Sequence, residues 1–149
     1  MSTRGNVIIK YGATEVVFYR HHDNYISEGG YELATLIKHN VNAPALIKDM
    51  MTRQRGIYIG DMDRPLYRLS SALAGDSEYS YILTYGGDYL DQTLSIKVVN
   101  HTYDRGDITI YNKSAYSKSG LVGAVADDFY EYCYKEHMKA FEKSYGRAS

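Results

Sequence analysis

Leu94-Ser95-Ile96-Lys97-Val98-Val99-Asn100-His101-Thr102-Tyr103 reads as one long strand, and Asp107-Ile108-Thr109-Ile110-Tyr111 as its return. Successive strand residues alternate sides, so Leu94, Ile96 and Val98 share one face and Ser95, Lys97 and Val99 the other. Asp104-Arg105-Gly106 between them carries turn chemistry, which makes the pair an antiparallel hairpin. Upstream, Tyr79 to Tyr85 alternates in the same way and stops at Gly86-Gly87. Nearer the start, Val7-Ile8-Ile9-Lys10 and Glu15 to Arg20 are rich in β-branched and aromatic residues. The short Gly12-Ala13 link joins them as a second hairpin.

Helical spacing fills the gaps. Leu121, Val125, Phe129, Tyr132, Cys133, Ala140 and Phe141 form a stripe from about 120 to 145. Asp127, Asp128 and Glu131 come early and Lys135, Lys139 and Lys143 late, as the helix dipole favours, and Gly146 follows as a stop. Ile26, Gly30, Leu33, Ala34, Ile37 and Val41 predict another helix with Ser27 as its N-cap. Gly29 and Gly30 cost such a helix about 1 kcal/mol each, which implies close packing at its start. Asn42 caps a shorter helix with Pro44 in its first turn and Leu46, Ile47, Met50 and Met51 on its apolar face. In residues 57–76, Ile57-Tyr58-Ile59 could be a short strand, Gly60 to Pro65 a loop and Leu66 to Ala74 a helix or strand, and irregular structure is the favoured reading. The expected fold is α+β: a largely antiparallel sheet of about five strands, two or three helices on one face, and a long C-terminal helix. Residues 1–149 are expected to form a single domain.

Seventeen Lys and Arg nearly balance eighteen Asp and Glu, for a net charge of −1. That balance argues against bulk electrostatic binding to nucleic acid or anionic membrane. The single cysteine, Cys133, excludes an internal disulfide and fits a reducing cytoplasm. The start of the chain shows no signal segment, and no apolar stretch approaches membrane-spanning length. Seventeen tyrosines stand beside three phenylalanines and no tryptophan. Tyrosine joins an apolar ring to a polar tip, so the excess points to a contact surface. Tyr79, Tyr81 and Tyr85 share one strand face, either as a contact stripe or as the bed of the last helix. Tyr130 and Tyr134 lie i,i+4 on that helix, off its apolar stripe, and are the expected exposed aromatic patch.

Chemistry-bearing clusters are sparse. His21-His22-Asp23 with His101 offers nitrogen and carboxylate ligands, although ordinary hydrogen bonding is the simpler reading. Asp61-Met62-Asp63 reads as a solvated loop. Arg4 and Arg105 each sit beside a glycine at a strand end, and with His22, Asp23 and Tyr25 they could line an anion pocket. Structural pairing of Arg4 with Asp23 or Asp104 is the competing account. Gly86-Gly87-Asp88 lacks the lysine of a phosphate loop, and no serine sits in a nucleophile elbow. No catalytic residue, metal or cofactor is assigned.

Met1-Ser2-Thr3-Arg4-Gly5-Asn6-Val7-Ile8-Ile9 and Tyr19-Arg20-His21-His22-Asp23-Asn24-Tyr25 carry a resemblance. The chain resembles a family of small phage and prophage proteins. These begin Met, one residue, Thr-Arg-Ser or Thr-Arg-Gly and a strand, and continue with Tyr-x-His-x-Asp-Gly-Tyr-Pro before a helix. Asp104-Arg105-Gly106 is similar to a later family segment. Asn24 stands where the family has Gly and Ile26 where it has Pro, and Asn keeps a left-handed turn accessible. The likeness covers the first forty residues and, loosely, the region near 104. It implies a phage setting and no reaction.

Two functions are expected from different classes. The first is a phage-type accessory protein in the bacterial cytoplasm that inhibits a host protein or ribonucleoprotein. An anti-CRISPR-like, anti-defence role is the expected form, with Tyr79, Tyr81, Tyr85, Tyr130 and Tyr134 making contact, and a homo-oligomer is compatible with it. The second is a binder or hydrolase of a phosphate-bearing molecule such as a signalling nucleotide, using Arg4, His22, Asp23, Tyr25 and Arg105.

Overall fold

The computed structural model describes residues 3–21, 24–40, 42–52, 67–70, 77–87, 92–113 and 122–145. Within them six strands form one sheet: β1 (Gly5–Tyr11), β2 (Thr14–Arg20), β3 (Arg68–Ser70), β4 (Tyr79–Gly86), β5 (Thr93–Thr102) and β6 (Gly106–Lys113). The helices are α1 (Tyr31–His39), α2 (Ala43–Thr52) and α3 (Val122–Tyr145). Strand order is β3-β2-β1-β4-β5-β6. Every neighbouring pair is antiparallel except β1 and β4, which run parallel at the centre. A parallel pair needs a long crossover, and α1 and α2 occupy it. The fold is α+β as expected, with six strands instead of five. The extra strand, Arg68–Ser70, falls inside the span read as irregular, because three residues are too short to show alternation. Residues 57–66 and 71–76 of that span lie outside the described residues.

The core follows from strand parity. Val7, Tyr81 and Val98 stand in register across β1, β4 and β5, and Ile9, Leu83 and Ile96 form the next row. Against these rows pack Leu33, Leu36 and Ile37 of α1, Leu46 and Met50 of α2, and Val125, Phe129 and Cys133 of α3. Each such side chain contributes about 1.5–3 kcal/mol by leaving water. Gly30 permits a close approach: a Cβ there would meet the Tyr81 hydroxyl at 3.1 Å and Cys133 Sγ at 3.6 Å. This is the packing implied by the Gly29-Gly30 pair.

Two local readings are corrected and a third holds. Ser27 is not an N-cap, because residues Ile26–Gly30 form a π-helical turn entered from Tyr25, which makes no side-chain cap bond. Asn42 does cap α2, its Oδ1 accepting from the Ala45 amide at 2.9 Å. On α3 the apolar stripe stops early: Val125, Phe129 and Cys133 are buried, but Ala140 and Phe141 are exposed. The last turns of α3 therefore extend past the sheet they would otherwise cover.

Candidate functional site

Of the two rings expected to be exposed on α3, Tyr134 is exposed and Tyr130 is half-buried against the core, and two further rings join them. Tyr130, Tyr134 and His137 recur at i, i+4 and i+7 and so share one flank of α3. Tyr31, at the start of α1, packs into them. Its ring stacks on His137 with centroids 4.5 Å apart and planes 19° from parallel. Its hydroxyl lies 3.1 Å from that of Tyr130, and Tyr130 stacks on Tyr134 at 6.2 Å. The bond to Tyr130, aided by burial, pushes the Tyr31 phenol above its ordinary range. Lys38 Nζ sits 4.4 Å above the Tyr130 ring and 3.4 Å from Asp127, so a cation covers one end of the cluster. Tyr134 is 39 % exposed.

His137 ties this cluster to the π-turn. Its Nδ1 donates to the Ser27 carbonyl at 2.9 Å, which leaves Nε2 as an acceptor. Beside it runs a groove of about 550 Å³ between Arg20, Glu28, Tyr31, Glu32, Thr35 and His137. Arg20 is buried at its floor, 3.1 Å from Glu32 Oε2 and 3.3 Å from the Tyr67 hydroxyl. Burial works against the Arg20 charge, but Tyr67 and Glu32 outweigh it and raise the guanidinium further.

A second groove, about 440 Å³, lies on the other flank of α3. Tyr25, Tyr79, Tyr132, Glu136, Lys139 and Lys143 line it. Tyr25 meets Tyr79 edge-on at 6.0 Å. Burial raises the Tyr79 and Tyr132 phenols, so neither is ionised near neutral pH.

Tyr79 is thus half-buried beside a groove, but Tyr81 and Tyr85 are not contact residues. They are 1 % and 4 % exposed, because β4 is a central strand and its odd-numbered residues face the helices. Tyr81 donates to the Asn24 carbonyl at 2.5 Å, and burial holds its phenol well above the ordinary range. Cys133 is also buried, and burial pushes its thiol up and away from reactive thiolate.

The two arginines of the anion reading arrive at one end of the sheet without sharing a pocket. Register places Gly5 opposite Arg20 and Tyr79, Tyr79 opposite Asn100, and Thr102 opposite Gly106. Arg4 and Arg105 extend from that same end, yet neither lines either groove. The Arg105 amide closes its own turn by donating to Thr102 Oγ1 at 3.1 Å. His22 and Asp23 lie outside the described residues. Asn24 makes the segment structural: its Nδ2 donates to the carbonyls of Thr3 at 2.9 Å and Arg20 at 2.7 Å. A Cβ on Gly5 would sit 2.8 Å from Asn24 Cγ. Thr3-Arg4-Gly5 and Asn24 are therefore two halves of one joint. Among the described residues no group of three His, Cys, Asp or Glu is placed to hold a metal. No helix among them is long and apolar enough to cross a membrane.

The sequence signal for His137 was present in the i, i+4, i+7 spacing. None existed for Tyr31, because its place depends on how α1 lies against α3. Comparison with family models, with curated proteins and with solved structures finds no match for the chain.

Proposed function

We propose that the protein is a phage-type accessory factor that docks on a host protein or ribonucleoprotein through the Tyr31–Tyr130–Tyr134–His137 surface. The observation that carries the reading is this stack of four rings on one helix pair, with Tyr134 open to solvent. Rigid aromatic anchors with few rotamers are the side chains from which binding hot spots are made. The resemblance of residues 1–25 to small phage proteins supplies the setting, and a bacterial defence complex is the proposed target class. The full chain, immobilised, is expected to retain one stoichiometric partner from a bacterial lysate. Tyr134→Ala should weaken that binding by about tenfold or more, at unchanged melting temperature. Equal retention by wild type and Tyr134→Ala, or no stoichiometric partner, rejects the reading.

A second reading, binding of a phosphate-bearing small molecule, is supported by the other groove, where Tyr25, Tyr79 and Tyr132 meet Lys139 and Lys143. Rings can stack a base and ammonium groups can take a phosphate. Calorimetry with mono- and dinucleotides tests it. Heat that disappears in Lys139→Ala/Lys143→Ala supports it, and no heat with the wild type removes it.

A further inference from the structure

On the sheet face opposite the Tyr81–Leu83 rows, three adjacent strands bring Ser80, His101 and Asp107 into line. Ser80 Oγ lies 2.7 Å from His101 Nε2, and His101 Nδ1 lies 2.7 Å from Asp107 Oδ1. A carboxylate only accepts, so Nδ1 carries its proton toward Asp107. In the neutral imidazole Nε2 is then an acceptor, and the Ser80 hydroxyl donates to it. Register builds this arrangement. His101 faces Asp107 across the β5–β6 hairpin. Ser80 faces Val99, two residues along β5, which makes His101 its diagonal neighbour. On its other side Ser80 stands in register with Asn6 of β1. The Asn6 amide is buried, gives one hydrogen to Ser77 Oγ at 2.6 Å, and has no partner at Oδ1 among the described residues.

The geometry points to a serine acyl-transfer site, Ser80–His101–Asp107, that cleaves small carboxylic esters. Ser80 Oγ attacks the ester carbonyl while His101 Nε2 takes its proton, and a carbon–oxygen bond forms to Ser80. Asn6, in register with Ser80, is the proposed donor to the oxygen on which negative charge develops. Collapse breaks the ester C–O bond, and His101 returns the proton to the leaving alkoxide as an alcohol. Water then gives a proton to His101 and its oxygen to the acyl carbon. The carboxylic acid leaves, and Ser80 recovers its hydrogen from His101. Asp107 is a positioning residue: it fixes the imidazole tautomer. Access limits the substrate: Ser80 is 4 % exposed and faces Val99, also buried, so only a small acyl group is expected to reach its hydroxyl.

The test uses the full chain and p-nitrophenyl acetate, following p-nitrophenol release and mapping the acetylated peptide after acid quench. A release burst with acetyl on Ser80 is expected. Ser80→Ala should abolish both, and His101→Ala should slow acylation by about 100-fold or more. Asp107→Asn should slow acylation at unchanged KM, and Asp107→Glu should restore part of the rate, which a purely structural role would not do. Ser80→Cys preserves size and nucleophile, so it should still be acetylated at position 80 if Ser80→Ala fails to fold. No adduct, an adduct mapped elsewhere, or equal acetylation of a folded Ser80→Ala overturns the proposal.

Discussion

Tyr81 and Tyr85 on β4 and Tyr130 and Tyr134 on α3 are the same side chain in two settings. On the central strand the neighbours are parallel β1 and antiparallel β5, and the face below is filled by helices. Both β4 rings are buried there. On α3 the buried stripe runs through Val125, Phe129 and Cys133, and Tyr130 and Tyr134 lie off to its side. The same ring is scaffold on β4, half-buried at Tyr130 and surface at Tyr134. Residue type is silent on this; position in the period and the depth of the element are what differ.

Tyr81→Ala should separate the two groups most sharply. It removes a fully buried ring from the row Val7–Tyr81–Val98, and a loss of about 3–5 kcal/mol is expected by denaturant unfolding. A loss near zero would mean β4 is not the centre of the core. Next comes Gly5→Ala, where the new methyl meets Asn24 Cγ at 2.8 Å. Overpacking of this kind costs about 1–3 kcal/mol, read as a lower urea midpoint.

Tyr81→Phe and Tyr85→Phe sharpen the contrast within β4 itself. The Tyr81 hydroxyl donates to the Asn24 carbonyl, so its removal strands a buried acceptor at a cost of about 1–2 kcal/mol. The Tyr85 hydroxyl is buried with no partner among the described residues, so Tyr85→Phe should be neutral or raise the melting temperature. Smallest is Tyr134→Ala, expected to change folding stability by no more than about 0.5 kcal/mol. A large loss there would make the α3 ring a scaffold residue too and would sink the contact-surface proposal.

Much of the fold was legible because its signals are local. Both hairpins, the Asn42 cap and the long last helix follow from spacing and turn residues within a few positions. Apart from the three-residue strand Arg68–Ser70, the misses are tertiary. Tyr79, Tyr81 and Tyr85 share a face, but which way that face points depends on α1 and α3. The π-turn at Ile26–Gly30 arises where the Gly30 backbone presses on Tyr81 and Cys133. Ser80, His101 and Asp107 converge only through the register of three strands, and no spacing in the chain announces that.

The parallel contact of β1 with β4 also sets an order of events. The β1–β2 hairpin leaves the ribosome early, yet the strand it must lie beside begins only at Tyr79. Long-range pairing is slow because the intervening chain must close first. Pulse-labelling hydrogen exchange during refolding should therefore protect β4–β6 amides before those of β1. Until β4 is made, the nascent hairpin presents Val7, Ile8 and Ile9 on an unpaired strand edge, and so offers the growing chain its widest opening for mispairing.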